Sequence, residues 1–470
     1  MQEKLFLFGT GKIATKYTLF FNRLSIDIEG YIDNDQNKWG TGFFGKKIYE
    51  PNILQKVNNS CVFIACAARE DITVQLAQMN IGIRNVSIAQ IITCHSQKIL
   101  EQVCSDLPLL ECRGDKTIII DNLGGSWGGA EDWSHIVALS LINRQRETFV
   151  IEDTAQPYIK ELEKNIIKIH TEHREEYQVY AELIRLLMER RPFVLFNVRN
   201  SVLFWAAATV KTIFPREAMI VSSILNDTVY REFCEWDEST DAYLCISSRI
   251  REKLLGQFEF ASKKKILCRT PFIEKIRDVD RKFEGISGIP IKIGYPCRLV
   301  REQKRADLIP AFIDSLEKKQ INYRLNIVGD GTCEAMIKEY VDANHLQAKV
   351  IMYGKLSRIE LYNFLDHQDV YVNFSEYEGT SLTMLEAMAS GCVPVVTDVS
   401  GVRDFIENGI NGLIADVGDL DKMADYIAFL DQDRLKLSEY GRKCMLIVRE
   451  KCRLCDYIDD IEELIESLSD

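Results

Sequence analysis

The sequence predicts an α/β protein built on parallel sheets. Two observations carry that expectation. Short apolar runs alternate with helical patterns along almost the whole chain. Several of those runs end directly in glycine-rich loops, as strands do when they feed helices at a ligand-binding edge: Gly9-Thr10-Gly11, Gly124 to Gly129 and Gly329-Asp330-Gly331. The length of 470 residues, at roughly 150 per domain, is that of about three domains.

The first segment, residues 1–106, opens on an apolar strand from Lys4 to Phe8. The loop Gly9-Thr10-Gly11 and a helical pattern follow. A second strand from Ile26 to Ile32 ends in Asp33-Asn34-Asp35, and Val62 to Ala67 reads as a buried strand. The spacing Gly9-x-Gly11-x-x-Ala14, with Asp33 or Asp35 downstream, is similar to a dinucleotide fingerprint. Two alternatives stay open for it: a nucleotide-type ligand on Gly9, Gly11 and Asp33, or a ligand-free structural or interaction module. Asp33-Asn34-Asp35 is not read as a metal site.

The second segment, residues 112–285, begins with a strand from Thr117 to Asp121 and the loop Gly124-Gly125-Ser126-Trp127-Gly128-Gly129. A helix is predicted from Ala130-Glu131, and further strands at Glu147–Glu152, Phe193–Val198, Met219–Ser222 and Ala242–Ile246. Gly285 to Pro290 reads as a linker. The third segment, residues 291–450, repeats strand and helix regularly, with strands at Lys292–Tyr295, Arg324–Val328, Val350–Tyr353, Val370–Phe374, Val393–Thr397 and Gly412–Ala415. Residues 451–470 read as a charged amphipathic helix, clearest from Asp456 to Leu468.

Composition excludes several classes. The formal net charge of −12 disfavours nucleic acid as a partner. The 46% hydrophobic content excludes a disordered chain. No apolar stretch approaches the ~18 residues of a membrane span. Leu5 to Phe8 is too short for a secretory core, so the expected location is cytoplasmic. The 14 cysteines fall mostly in apolar runs, as Cys61 and Cys66 do, and read as free thiols. Cys452-x-x-Cys455 has zinc-like spacing without a second pair and reads as helical cysteines. His170 and His173 fall in a charged stretch and receive no role. His135 lies in the helix after the second glycine loop and reads as core-facing.

The chemistry concentrates between Ser375 and Val396. A buried strand ends at Phe374, a loop holds Glu378 and Gly379, and a helix begins near Thr380 to Thr383, where Thr383 and Glu386 fit a capping box. Free amides at a helix start favour phosphate, and Gly379 lets a ligand approach the backbone. The two carboxylates of Glu378 and Glu386 suit hydroxyl groups of a sugar or ribose. Arg298 and Lys304 follow the first strand of the same segment, where positive charge suits a diphosphate leaving group.

With those residues in view, segments two and three resemble a family-4 retaining glycosyltransferase of the GT-B fold. That fold has two Rossmann-like domains facing across a cleft; here an additional Rossmann-like α/β domain precedes them. The resemblance covers about 350 residues and rests first on the Glu-x7-Glu spacing of Glu378 and Glu386. Arg298, Lys304, Gly329-Asp330-Gly331, Gly354, the run Asn408 to Leu413 and the loop Gly128-Gly129-Ala130-Glu131 support it. The first segment resembles the Rossmann-like domain fused to various sugar-modifying enzymes.

The resemblance implies a sugar transfer from a nucleotide diphosphate sugar, a UDP-sugar before a GDP-sugar, to an acceptor hydroxyl with retention. Cell-surface polysaccharide or glycoconjugate biosynthesis is the implied context. Arg298 and Lys304 would hold the diphosphate, with the amides of Thr380, Ser381 and Leu382. Glu386 would bind the donor ribose, and Glu378 the donor sugar near the reacting carbon. Gly379, Gly128 and Gly129 would give the donor room. No metal or other cofactor is implied. A glycan or lipid-linked glycan acceptor is implied, with peripheral contact at the inner membrane face. The carboxyl-terminal helix would cross back to the first GT-B domain. One departure stands out: Ser223-Ile224-Leu225-Asn226-Asp227 carries no histidine where many members do, which puts a donor or acceptor contact in doubt. Two rivals are a non-catalytic nucleotide-sugar or glycan-binding protein and a nicotinamide-dependent sugar-nucleotide-modifying enzyme acting through the first segment. The absence of a Tyr-x-x-x-Lys pair beside the fingerprint argues against the second.

Overall fold

The computed structural model describes residues 3–57, 59–79, 84–107, 114–124, 129–153, 160–227, 233, 235–258, 261–273 and 288–468. It is an α/β structure with three sheets. Two compact units emerge, Met1–Ser222 with Glu232–Asp241, and Ser223–Arg231 with Ala242–Asp470.

The first sheet comprises β1 (Lys4–Phe8), β2 (Gly30–Ile32), β3 (Gly42–Phe43), β4 (Lys46–Tyr49), β5 (Ser60–Ile64) and β6 (Arg84–Asn85), in the order β3-β4-β2-β1-β5-β6. All neighbours are parallel except β3 and β4. Leu5 to Phe8 are all buried, the continuous apolar run of a strand covered on both faces. The expected strand over Ile26–Ile32 is shorter, starting at Gly30. Ser25 turns the chain through a left-handed conformation at φ 54°, and Ile26 and Ile28 reach the core without a ladder. Gly30 must lack a side chain, because a Cβ there would lie 2.6 Å from the Tyr49 ring.

The middle sheet contains β7 (Thr117–Asn122), β8 (Thr148–Asp153), β9 (Ile166–Ile169), β10 (Phe193–Asn197), β11 (Ala218–Ile224), β12 (Ala242–Cys245) and β13 (Lys265–Cys268). Its order is β13-β12-β11-β10-β7-β8-β9. Within the first unit, Phe20 of the helix Lys12–Arg23 packs against Tyr180 and Trp205, with ring centroids 5.4 and 5.7 Å apart. The first sheet's layer is therefore packed onto the middle layer's helices. Burying rings of this size contributes roughly 1.5–3 kcal/mol each.

The third sheet contains β14 (Ile291–Pro296), β15 (Tyr323–Val328), β16 (Val350–Met352), β17 (Val370–Asn373), β18 (Val393–Thr397) and β19 (Leu413–Ala415). It is parallel throughout, in the order β16-β15-β14-β17-β18-β19. Ile293, Tyr295, Phe312, Leu325, Val372 and Phe374 form the heart of its core. The last helix, Leu454–Ser467, packs on residues just after β13: Phe272 meets Tyr457 at 4.9 Å between ring centroids, and Arg269 pairs with Asp460 at 2.8 Å.

Twelve cysteines are described and all are free; six of them are buried. Burial pushes the thiols of Cys245 and Cys452 up to about 12. Cys452 is buried at a helix end and Cys455 is exposed. Among the described residues no helix is long and apolar enough to cross a membrane.

Candidate active site

The strand order of the third sheet locates the crevice. β15 and β16 lie on one side of β14, and β17, β18 and β19 lie on the other. The order reverses between β14 and β17, and in open parallel sheets such a switch point, at the carboxyl ends of the strands, is where ligands bind. The loop after β14 carries Arg298, Gln303 and Lys304. The loop after β17 carries Ser375 and Glu378.

These two loops meet at the Glu378 carboxylate, which is 6% exposed. Lys304 Nζ pairs with its Oε1. Ser375 donates to the same oxygen at 2.7 Å. Gln303 Nε2 donates to Oε2 at 3.1 Å. Arg298, exposed, donates from Nη2 to Gln303 Oε1 at 3.2 Å. The Cys297 thiol lies beside Lys304 and Glu378, and burial pushes it up to about 11.

Two glycines hold the β14 loop close. A Cβ on Gly329 would lie 2.0 Å from the Cys297 carbonyl oxygen, and one on Gly331 would lie 2.5 Å from that of Leu299. Both have positive φ, 126° and 150°, which an L side chain rarely adopts. Leu299 N in turn donates to Asp330 O at 2.8 Å.

The helix Leu382–Ala389 starts at the Ser381 cap, whose hydroxyl accepts from Met384 N at 3.3 Å. This corrects the expected capping box of Thr383 and Glu386: Thr383 lies inside the helix, one residue past its first. The Glu386 side chain turns elsewhere, accepting from Arg358 Nη2 and from the Tyr362 hydroxyl, each at 3.2 Å. Arg358 and Tyr362 come from the helix Arg358–Leu365. Burial and the nearby Glu386 carboxylate raise the Tyr362 phenol above its usual value. Among the described residues no hydrogen bond engages the backbone N–H of Thr380, Ser381 or Leu382. They are the orphan donors of a helix start.

Gly379 has a reason of its own. A Cβ there would sit 2.1 Å from the Leu225 carbonyl oxygen. Thr380 donates to Ile246 O at 3.0 Å. The histidine-free stretch from Ser223 to Asp227 thus passes beside the glycine that follows Glu378.

The other expected sites look different. Gly128 lies outside the described residues, as do Gly125 to Trp127. Gly129 is exposed and opens the helix Gly129–Asn143, one residue before the expected start. In the first sheet, Gly9 has φ 114°, and a Cβ on it would lie 2.8 Å from Ala65 O, so strand packing alone requires it. Gly11 borders open space. Asp33 is already engaged. Thr10 and Lys38 donate to its Oδ2, and Asp35 N donates to Oδ1 at 2.9 Å. Against the opposing effect of burial, these bonds hold its carboxyl below the usual range. His170 and His173 are exposed; His135 is buried against Glu152.

Sequence reasoning missed Gln303, Ser375, Arg358 and Tyr362. Gln303 and Ser375 lie inside the runs that were singled out, one residue before Lys304 and three before Glu378. Arg358 and Tyr362 are brought in from a separate helix, whose only local signal is its capping box of Ser357 and Glu360.

Residues 276–444 match the family described as Glycosyl transferases group 1. Residues 1–88 match the family described as C2185-like, N-terminal. The chain is 29% identical over 160 residues to a poly(ribitol-phosphate) alpha-N-acetylglucosaminyltransferase of Staphylococcus aureus, covering 34% of this chain and 32% of that one. It is 30% identical over 154 residues to an N-acetyl-alpha-D-glucosaminyl L-malate synthase of Bacillus anthracis, covering 33% and 39%. The matches thus span between about three and four tenths of these relatives' lengths. Among solved structures, a lipopolysaccharide outer core galactosyltransferase aligns with TM-score 0.61 at 19% identity, covering 75% of this chain and 99% of that one. An Anabaena protein, HepE, solved with UDP and glucose, aligns with TM-score 0.60 at 16% identity, covering 75% and 100%. The match to the group 1 glycosyltransferase family thus covers the third sheet and the residues around Arg298, Lys304 and Glu378, and the fold is of the GT-B kind with an extra amino-terminal α/β domain.

Proposed function

We propose that the chain is a family-4 glycosyltransferase that moves a sugar, with retention, from a nucleotide diphosphate sugar to an acceptor hydroxyl in cell-surface polysaccharide or glycoconjugate synthesis. One observation carries the reading: Arg298, Lys304 and Glu378 converge at the switch point of a sheet inside the group 1 glycosyltransferase stretch.

The roles follow from the chemistry. Arg298 and Lys304 neutralise the diphosphate, and the unengaged amides of Thr380, Ser381 and Leu382 add fixed positive ends of peptide dipoles. Glu378 accepts hydrogen bonds from donor-sugar hydroxyls, and Glu386 from ribose. A role for Gly128 and Gly129 in giving the donor room is part of the proposal. The acceptor oxygen forms its bond to the anomeric carbon on the face from which the phosphate oxygen departs. The leaving phosphate takes the acceptor proton. No protein nucleophile and no metal enter this scheme. UDP is the favoured nucleotide, and a lipid-linked glycan acceptor would bring the protein to the inner membrane face. The division into residues 1–106, 112–285, 291–450 and 451–470 is part of the proposal.

A nicotinamide-dependent reaction in the first domain is not favoured. The carboxylate that would take the ribose, Asp33, already accepts from Thr10, Lys38 and Asp35 N. The test is a panel of UDP-, GDP- and ADP-sugars without added metal, followed by released nucleotide and the product's anomeric configuration. Release from one donor with retained configuration supports the proposal; release with inversion, or none from any donor, rejects it.

A further inference from the structure

We infer that Gln303 is a positioning residue for the transfer, tying Arg298 to Glu378 through the two ends of one amide. The inference rests on the donor-site reading above. Its geometry is explicit. The amide oxygen accepts from Arg298 at 3.2 Å. The amide nitrogen donates to Glu378 Oε2 at 3.1 Å and to Tyr377 O at 3.3 Å. The backbone fixes the same register, because Glu376 N donates to Gln303 O at 3.0 Å.

The two oxygens of Glu378 are held unequally. Oε1 has Lys304 and Ser375. Among the described residues Oε2 has the Gln303 amide alone. Without that donor the carboxylate can turn about its Oε1 anchors. Arg298 is exposed, and its side chain donates to Gln303. Gln303 therefore aims a cation and a carboxylate at once, and only a side chain with a donor at one end and an acceptor at the other does both. Loss of such a support lowers catalysis more than binding when the group it holds acts on the reacting sugar.

The charged groups facing Gln303 are Arg298 and Lys304 on its own loop and Glu376 and Glu378 on the loop after β17. In Gln303→Glu the new carboxylate keeps the acceptor for Arg298 but meets Glu378 Oε2. Two carboxylates in contact share a proton with a raised pKa. The protonated form restores a donor.

The experiment measures kcat and KM, from pH 6 to 8, for the nucleotide sugar the wild type turns over, in wild type, Gln303→Leu and Gln303→Glu. Thermal melts report folding, and binding of UDP or GDP is measured separately. The expected result is a tenfold or larger fall in kcat for Gln303→Leu with nucleotide Kd changed less than threefold. The relative kcat of Gln303→Glu rises as pH falls, and that of Gln303→Leu does not. Wild-type-like kcat in both variants overturns the inference while leaving the donor site standing. So does a loss that tracks the melting temperature with no acid recovery in Gln303→Glu. A wild type that turns over no nucleotide sugar overturns the donor reading and this role with it.

Discussion

The middle and third sheets share one strand order but use the polar side chains at their switch points differently. Read from the edge, β9-β8-β7-β10-β11-β12 repeats β16-β15-β14-β17-β18-β19. In the middle sheet the polar groups at the strand ends serve the fold. Asp121, fully buried, accepts from the backbone N–H of Leu123, Val198, Arg199 and Asn200 at 2.8–3.0 Å, which ties the loops after β7 and β10 together. Glu152, also fully buried, is held by His135, by Asn122 at 3.0 Å and by Lys168 at 2.9 Å. In the third sheet the corresponding edge has an exposed Arg298 and a helix start with unengaged amides. One topology thus supports a stitched edge in one place and a candidate donor site in the other, so function is argued from the site and not from the fold.

The comparison can be broken by substitution. Glu152→Ala leaves Lys168 and His135 facing a void in a buried position, and the expected cost is about 3–5 kcal/mol in urea unfolding. Nucleotide release per folded molecule should be unchanged. Lys304→Ala should act on activity as well, with transfer per folded molecule falling about 10²–10³-fold beside the stability lost when the buried Glu378 loses its cation. If Lys304→Ala unfolds the chain while keeping activity per folded molecule, the two edges do not differ as described. Asp121→Ala should cost about 2–3 kcal/mol, since it strands backbone donors that a charged acceptor satisfies.

Acid sharpens the contrast further. Burial alone would raise the Glu152 carboxyl, but the bonds from His135, Lys168 and Asn122 outweigh it and hold the group below its ordinary value. A depressed carboxyl contributes stability above its unfolded pKa of about 4.3, and that contribution is lost as pH falls through the folded value. Stability should therefore fall below about pH 4.3, and Glu152→Gln should flatten that slope. The smallest effect is expected at the thiols. Cys94 and Cys455 are exposed and should alkylate first, whereas Cys245 and Cys452, pushed up to about 12, should react only on unfolding.

The sequence made the third sheet most legible. Its strands are short apolar runs covered on both faces, and all six expected strands appear with ends shifted by no more than one residue. The strands that escaped notice, β3, β4, β6, β9 and β13, are short, exposed or interrupted by charge, so none carries more than three apolar residues in a row. The polar runs around Arg298, Lys304, Glu378 and Glu386 were visible as spacing. Their partners were not. Arg358 and Tyr362 reach Glu386 across 28 and 24 residues of chain, and Leu225 reaches Gly379 from another sheet. Such pairings depend on tertiary approach, which a local pattern does not encode. The false capping box at Thr383 shows the converse: a correct local pattern yields to the neighbour that captures Glu386.

Titration of UDP into wild type, Lys304→Ala and Asp33→Ala tests the central claim most directly. The account predicts saturable binding to wild type and to Asp33→Ala, with affinity lost in Lys304→Ala. Binding lost in Asp33→Ala but kept in Lys304→Ala would move the nucleotide site to the first sheet and contradict the account.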